Sequence, residues 1–241
     1  TSGSNVTLVD AGAIDLGAST VSGTYAVTAT ADGDITDSGV LAITGTSTLT
    51  AADEQSIILD QSSTFGTVAF VASSGNLKNV TINDSNALDL SALTLAQVSG
   101  AGGNLTVTAG GAVTDSGTLV IPGTTTISAS GQDVTLNDSS NNFGTATITG
   151  ANVAVTDTNA IALGASTISG TYSITADGNI TDDGAQVITG LTTLGAGSGI
   201  ITLDNSSNDF QGGLVIQSSG NVVLRDVERL IWVQQRSPEP I

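Results

Sequence analysis

Residues 152–170 read NVAVTDTNAIALGASTISG, and residues 5–23 read NVTLVDAGAIDLGASTVSG. A looser copy, NVTINDSNALDLSALTLAQVSG, spans residues 79–100, and a fourth begins at Asn221 as NVVLRD before breaking off. Self-similarity at a fixed period constrains architecture first, because each copy buries its apolar face against the next. The period is 74 residues from Asn5 to Asn79, 73 from Asn79 to Asn152 and 69 from Asn152 to Asn221. Each unit divides into three related parts of about 23–25 residues with about three short strands apiece, the size of one coil of a parallel β-helix. The expected fold is all-β: a right-handed parallel β-helix (β-solenoid) of about ten coils, three coils per repeat, about 45–50 Å long at strand spacing.

Strand alternation agrees. Val6 and Leu8 share one face of their strand while Asn5 and Thr7 share the other. Leu41 with Ile43, Ile57 with Leu59, Val80 with Ile82 and Ile161 with Leu163 continue the inward set, and the outward positions are mostly Thr, Ser, Asp and Asn. Phe65, Phe143 and Phe210 fall at one matched place in the three units; each is expected to plug a wide corner. Gly39, Gly45, Gly117, Gly123, Gly184 and Gly190 mark corners, where positive φ or a self-bonding Asx side chain is expected. Gln186 stands where the other units have Leu41 and Leu119. Either the register slips there or a buried amide finds partners. The alternative architecture, tandem immunoglobulin-like β-sandwiches, leaves the threefold similarity inside each unit without a cause and lacks the expected Trp or Tyr core.

The solenoid array is placed at residues 1–227, with units 5–78, 79–151 and 152–220 and a partial unit 221–227. Residues 228–241 form a tail off the pattern, holding the one Trp and two of the three Pro. A coding sequence for DAGALDLGATTVSGTY, in suitable codons, reads DVERLIWVQQRSPEPI after loss of one base, which matches residues 226–241. The tail is therefore read as a frameshift product that ended a longer array, expected to pack poorly and carry no site. Thr1 begins in mid-pattern, so the chain is read as a fragment or processed form.

Composition narrows function. With 39% hydrophobic residues the chain is too apolar for a disordered tail, and with 3% aromatics it is too poor in large side chains for an ordinary globular core. Small β-branched residues suit a narrow bore. A formal charge of −18 repels nucleic acid and anionic membranes. No apolar run is long enough for a transmembrane helix, and with Cys 0 no disulfide forms.

The runs DxxAxxLGASTxSG, ITDSG with VxTG, and LDNSSNDFxG resemble the repeats of large bacterial surface proteins, the filamentous haemagglutinin-type and autotransporter-like β-helical adhesins. The resemblance reaches from the start of the chain to Asp226. It implies a structural stalk or passenger segment of a secreted or surface-displayed protein, extracellular or on the cell surface. Contact with a host or neighbouring cell would run through other parts of the parent protein, with neither nucleic acid nor membrane insertion as partners; separately, an array exposes an unpaired coil at each end, so end-to-end self-association is expected. No catalytic or ligand residue carries over.

The chemistry of the residues points the same way. With His 0, and Lys78 the only basic residue before Arg225, a lyase base or a His triad is missing, so no enzyme, catalytic residue or cofactor site is expected. Asp32, Asp34 and Asp37 crowd together but read as a turn. Asp204, Asn205, Asn208 and Asp209 are the calcium candidates, offering hard oxygens without the calcium-binding nonapeptide; self-capping of the corner is the competing reading, as it is for the similar run 137–142. A carbohydrate-binding or polysaccharide-degrading β-helix, and an ice-binding solenoid built on outward Thr rows, are the alternative functions.

Overall fold

The computed structural model describes residues 1–217 and 220–228 and the backbone of Gln234–Gln235. No helix occurs among them, and the chain winds as a parallel β-solenoid of about 11 turns. Val6–Asp10 pairs in parallel with Tyr25–Ala29, setting Val6 against Tyr25 and Leu8 against Val27. Tyr25 in turn meets Ser47, and Ser47 meets Val68. Between Tyr25 and Ser47 the chain lays down Ile35–Asp37 and the first part of Leu41–Ala51, so each turn has three faces. A turn takes as few as 17 residues, from Thr145 to Ala162, and as many as 26, from Leu93 to Leu119. Sandwiches would need antiparallel two-layer sheets; here every ladder except one short hairpin is parallel and joins a turn to the next.

The strands of one repeat do not divide evenly among three faces. In the first repeat, strands through Val6, Tyr25, Ser47 and Val68 share a face. Those through Ile14, Ile35 and Ile57 share the second, and those through Ser19, Leu41 and Phe65 the third. Ten strands make three turns plus one face. The next Asn-led strand, Asn79–Asp84, therefore lands on the second column, with Val80 on Ile57. Val153 lands likewise on Val134, and Val222 on Ile201. Each repeat is thus turned by one face relative to the last, which refines the expected three coils per repeat.

The bore is dry and aliphatic. Inward residues of successive turns, such as Ile35, Ile57, Val80 and Leu105, are fully buried and stack in register. Burying a Val, Leu or Ile side chain stabilises by about 1.5–3 kcal/mol, and parallel ladders covered in this way read as apolar on the inner face. Val6, Leu8 and Ile14, in the first turn, are only partly buried.

Two corner expectations are corrected. Phe65, Phe143 and Phe210 do not plug corners; they are buried rungs stacked on Ile43, Ile121 and Ile188. The six corner glycines named above do not have positive φ. Their smallness serves close approach instead: a Cβ on Gly45 would run into the carbonyl of Gly23, and one on Gly190 into that of Gly170. Turns that take the same corner one above another leave no room for a side chain between their backbones.

Gln186 keeps its register, pairing in line with Ser166. Its side chain is fully buried, and Nε2 donates to the carbonyls of Gly164 at 2.8 Å and Gly184 at 2.9 Å, while Oε1 has no partner. Gln186→Leu, restoring what Leu41 and Leu119 supply, removes the orphaned acceptor but also the donor to the Gly164 and Gly184 carbonyls, so it should change stability by less than about 1 kcal/mol. A urea titration measures it.

Residues 229–233 and 236–241 lie outside the described residues, and most of the expected loose tail with them. The backbone of Gln234–Gln235 pairs in parallel with Val215 and Ile216, continuing a ladder of the solenoid.

Candidate functional site

The Asn that opens each repeat is a staple to the turn above. Asn5 Oδ1 accepts the N–H of Thr24 at 2.9 Å and its hydroxyl at 3.1 Å; Asn152 Oδ1 does the same for Thr171, both at 3.0 Å. Asn79 takes the amide of Asn104, and Asn104 that of Thr124. An Asx side chain at a corner thus satisfies a backbone donor that the strand ladder leaves over.

A second staple recurs in the later two repeats. Asp115 accepts the amides of Asn137 and Asp138 and the Nδ2 of Asn141 at 2.6 Å, while Asn141 Oδ1 accepts the Leu119 amide at 2.8 Å. Asp182 does the same with Asp204, Asn205 and Asn208, whose Oδ1 accepts the Gln186 amide. In the first repeat Ser63 replaces the Asn. Its hydroxyl still takes the Leu41 amide, but it does not reach Asp37, whose Oδ2 is left buried without a partner. Burial pushes the Asp37 carboxyl up, against the pull of the Gln61 and Asp60 amides.

These bonds place the calcium candidates. Asn208 is fully buried with both ends of its amide engaged, and Asn205 Oδ1 accepts the Ser207 amide in an Asx turn. Asp209 Oδ2 accepts from Gln211, and Asp204 stands exposed. Among the described residues no three acidic, His or Cys side chains converge on a metal-sized site. Of the crowded acids in the first repeat, Asp34 accepts the Ser56 amide at 2.7 Å, Asp37 those of Asp60 and Gln61, and Asp32 is exposed.

The acids follow the corners. In each repeat two of the three corners carry them, for example Asp10, Asp34 and Asp53 on one and Asp37 and Asp60 on the next. The third corner has none; it is the seam of stacked glycines, Gly23, Gly45 and Gly66 in the first repeat and Gly170, Gly190 and Gly212 in the third. A depression of about 470 Å³ lies beside Phe210, Gln211 and Asp226.

One protrusion escaped the repeat pattern. Gln97–Val98 and Ala101–Gly102 form an antiparallel hairpin whose turn residues, Ser99 and Gly100, both have positive φ, as a tight two-residue hairpin requires. It rises from the glycine corner of the second repeat, and Gly102 lies against the side chain of Lys78. The signal was present as six extra residues in this turn and the Ser-Gly pair.

On the face carrying the long strands of the second repeat, outward threonines stand in consecutive register: Thr81, Thr106, Thr126 and Thr147.

A family model described as repeats of unknown function (DUF5649) matches residues 3–72, 77–149 and 150–217. No curated protein and no solved structure gives a significant match.

Proposed function

We propose that this chain, which belongs to the family of those repeats because the model covers all three of its units, is a passive spacer: a stalk or passenger segment of a surface-displayed or secreted bacterial adhesin-like protein. The observation that carries the reading is where the polar groups go. The buried Asn141 and Asn208 and the partly buried Asp115 and Asp182 of the recurring corners are engaged with backbone or with one another, so the polar pattern that recurs is spent on holding turns together. Acid-lined corners oppose lateral clumping, and end-to-end stacking of like coils is the mode of self-association that fits a ladder of parallel strands. Deleting residues 79–151 from the native protein tests the role. Labelling of intact cells should show the protein outside the cell, with the variant still displayed but its distal parts nearer the surface. Unchanged reach, or a protein confined to the cytoplasm, would contradict it.

The in-register threonines favour one second reading, an ice-binding face. Thermal hysteresis that disappears in Thr106→Lys would support it; freezing indistinguishable from that of a control protein at equal concentration would remove it.

A further inference from the structure

The Asp that closes each Asn-led strand sits at the seam between repeats. Asp84 and Asp157 are each 1% exposed. Asp157 Oδ2 accepts the amide of Phe143, in the preceding repeat, at 2.6 Å, and its Oδ1 accepts that of Asn159 at 2.7 Å. Beside it the Thr158 amide donates to the carbonyl of Asn141 at 2.8 Å. Asp84 repeats the arrangement: Oδ1 accepts the Asn86 amide at 3.0 Å, the Ser85 amide donates to the carbonyl of Ser63, and Oδ2 faces the Phe65 end of the preceding repeat with no partner at bonding distance. The equivalent Asp10, in the first turn, keeps the bond from Gly12 two residues on but is exposed. Stacking a repeat on its predecessor is therefore what buries this carboxylate.

We infer that Asp84 and Asp157 make each repeat junction an acid-strengthened lock, looser at neutral pH and tighter as the medium acidifies. A carboxylate out of water is stable only with a cation or enough donors, and among the described residues no cation faces either group. Against Asp84, the strand Ile57–Ala72 brings Asp60, Leu88–Leu90 brings Asp89, and Asn104–Ala109 brings no ionisable residue. Against Asp157, Val134–Leu136 is flanked by Asp133 and Asp138, Tyr172–Ala176 carries Tyr172 and is followed by Asp177, and Asn142–Gly150 brings none. Burial pushes both carboxyls up, against the pull of the Asn86 and Phe65 amides on Asp84 and of the Phe143 and Asn159 amides on Asp157; Asp177 raises Asp157 further. Protonation removes the buried charge and leaves a carbonyl oxygen to accept the Phe amide. Because the folded chain holds these protons at higher pH than the unfolded chain, stability rises as pH falls through the raised values. It stops rising once the ordinary carboxylate range is reached. The lock belongs to the fold and holds whatever the stalk displays.

Hydrogen exchange of the Phe65 and Phe143 amides, corrected for the intrinsic pH dependence of exchange, tests it directly in the 241-residue chain. As the pH falls from 7 into the ordinary carboxylate range their protection should rise relative to amides in mid-repeat strands such as Val27 and Leu194, reaching about tenfold for each pKa unit of elevation. In Asp84→Asn the gain at Phe65 should vanish while that at Phe143 stays, and the urea midpoint at pH 7 should increase. Asp60→Asn, which removes an exposed charge, should leave both gains intact. Equal gains at junction and mid-repeat amides, or a Phe65 gain that survives Asp84→Asn, would overturn the inference. Asp84→Asn is the chosen variant because it removes the charge at nearly constant shape, and no amide is within bonding distance of Oδ2.

Discussion

Gly190→Ala should lower the stability of the solenoid by about 3 kcal/mol, at the upper end of what overpacking a filled interior costs. The new methyl would meet the Gly170 carbonyl and the Thr171 amide nitrogen directly below, both backbone atoms of an adjacent turn. A side chain there could swing away; two hydrogen-bonded strands cannot separate without losing rungs on both sides. Gly212 presses on Gly190 from above in the same manner, so relief in one direction is strain in the other. Gly17→Ala is the matched control. Nothing lies within 4 Å of a Cβ at that position, and its φ is not positive. There the substitution should be neutral or stabilise by about 0.5 kcal/mol, because alanine restricts the unfolded chain. Paired urea titrations should show a large loss for Gly190→Ala and none for the chemically identical Gly17→Ala.

The second large effect belongs to the buried amide. Asn141→Ala removes the acceptor for the Leu119 amide and the donor for Asp115 Oδ2 together, at a position that is itself fully buried. The buried Leu119 amide is orphaned, and Asp115 Oδ2 keeps only the Asp138 amide, which together should cost about 2–3 kcal/mol. Asn208→Ala should match it, since Asp182 and the Gln186 amide stand in the same relation. The reverse change is available in the first repeat. Ser63→Asn would bring an NH₂ group to the unpartnered Oδ2 of Asp37 and should stabilise by about 1 kcal/mol. Equal destabilisation by Ser63→Asn and Asn141→Ala would mean that the three corners are not equivalent.

The solenoid was legible in the sequence because two periods coincide there. Alternation along Val6–Thr7–Leu8 told inside from outside, and the recurrence of NVxxxD told that each turn lies over another. What the letters did not show is how turns and repeats are phased. The tenth strand, around Val68 in the first repeat, reads as the end of a unit, and only its ladder with Ser47 reveals that it uses up one face. Glycine at the corners was legible as a residue but not as a reason. Positive φ and close approach leave the same letter, and the carbonyl of Gly23 under Gly45 decides between them. The Asn staples were legible as corner caps. Their reach was not: Asn5 caps Thr24, 19 residues on, rather than its own turn. The hairpin at Ser99–Gly100 hid because the second repeat was matched by its recurring ends.

The one-face offset between repeats has a direct chemical test, and a chain with Cys 0 makes it clean. Ile58 and Thr81 are outward-facing partners on adjacent turns of one column. Parallel partners on neighbouring strands lie about 4.8 Å apart, within the range a disulfide spans. Ile58→Cys with Thr81→Cys should oxidise to an intramolecular disulfide without loss of stability, while Ala69→Cys with Thr81→Cys should stay reduced. The opposite result, a bridge from position 69 and none from position 58, would place the second repeat squarely above the first and contradict the architecture described.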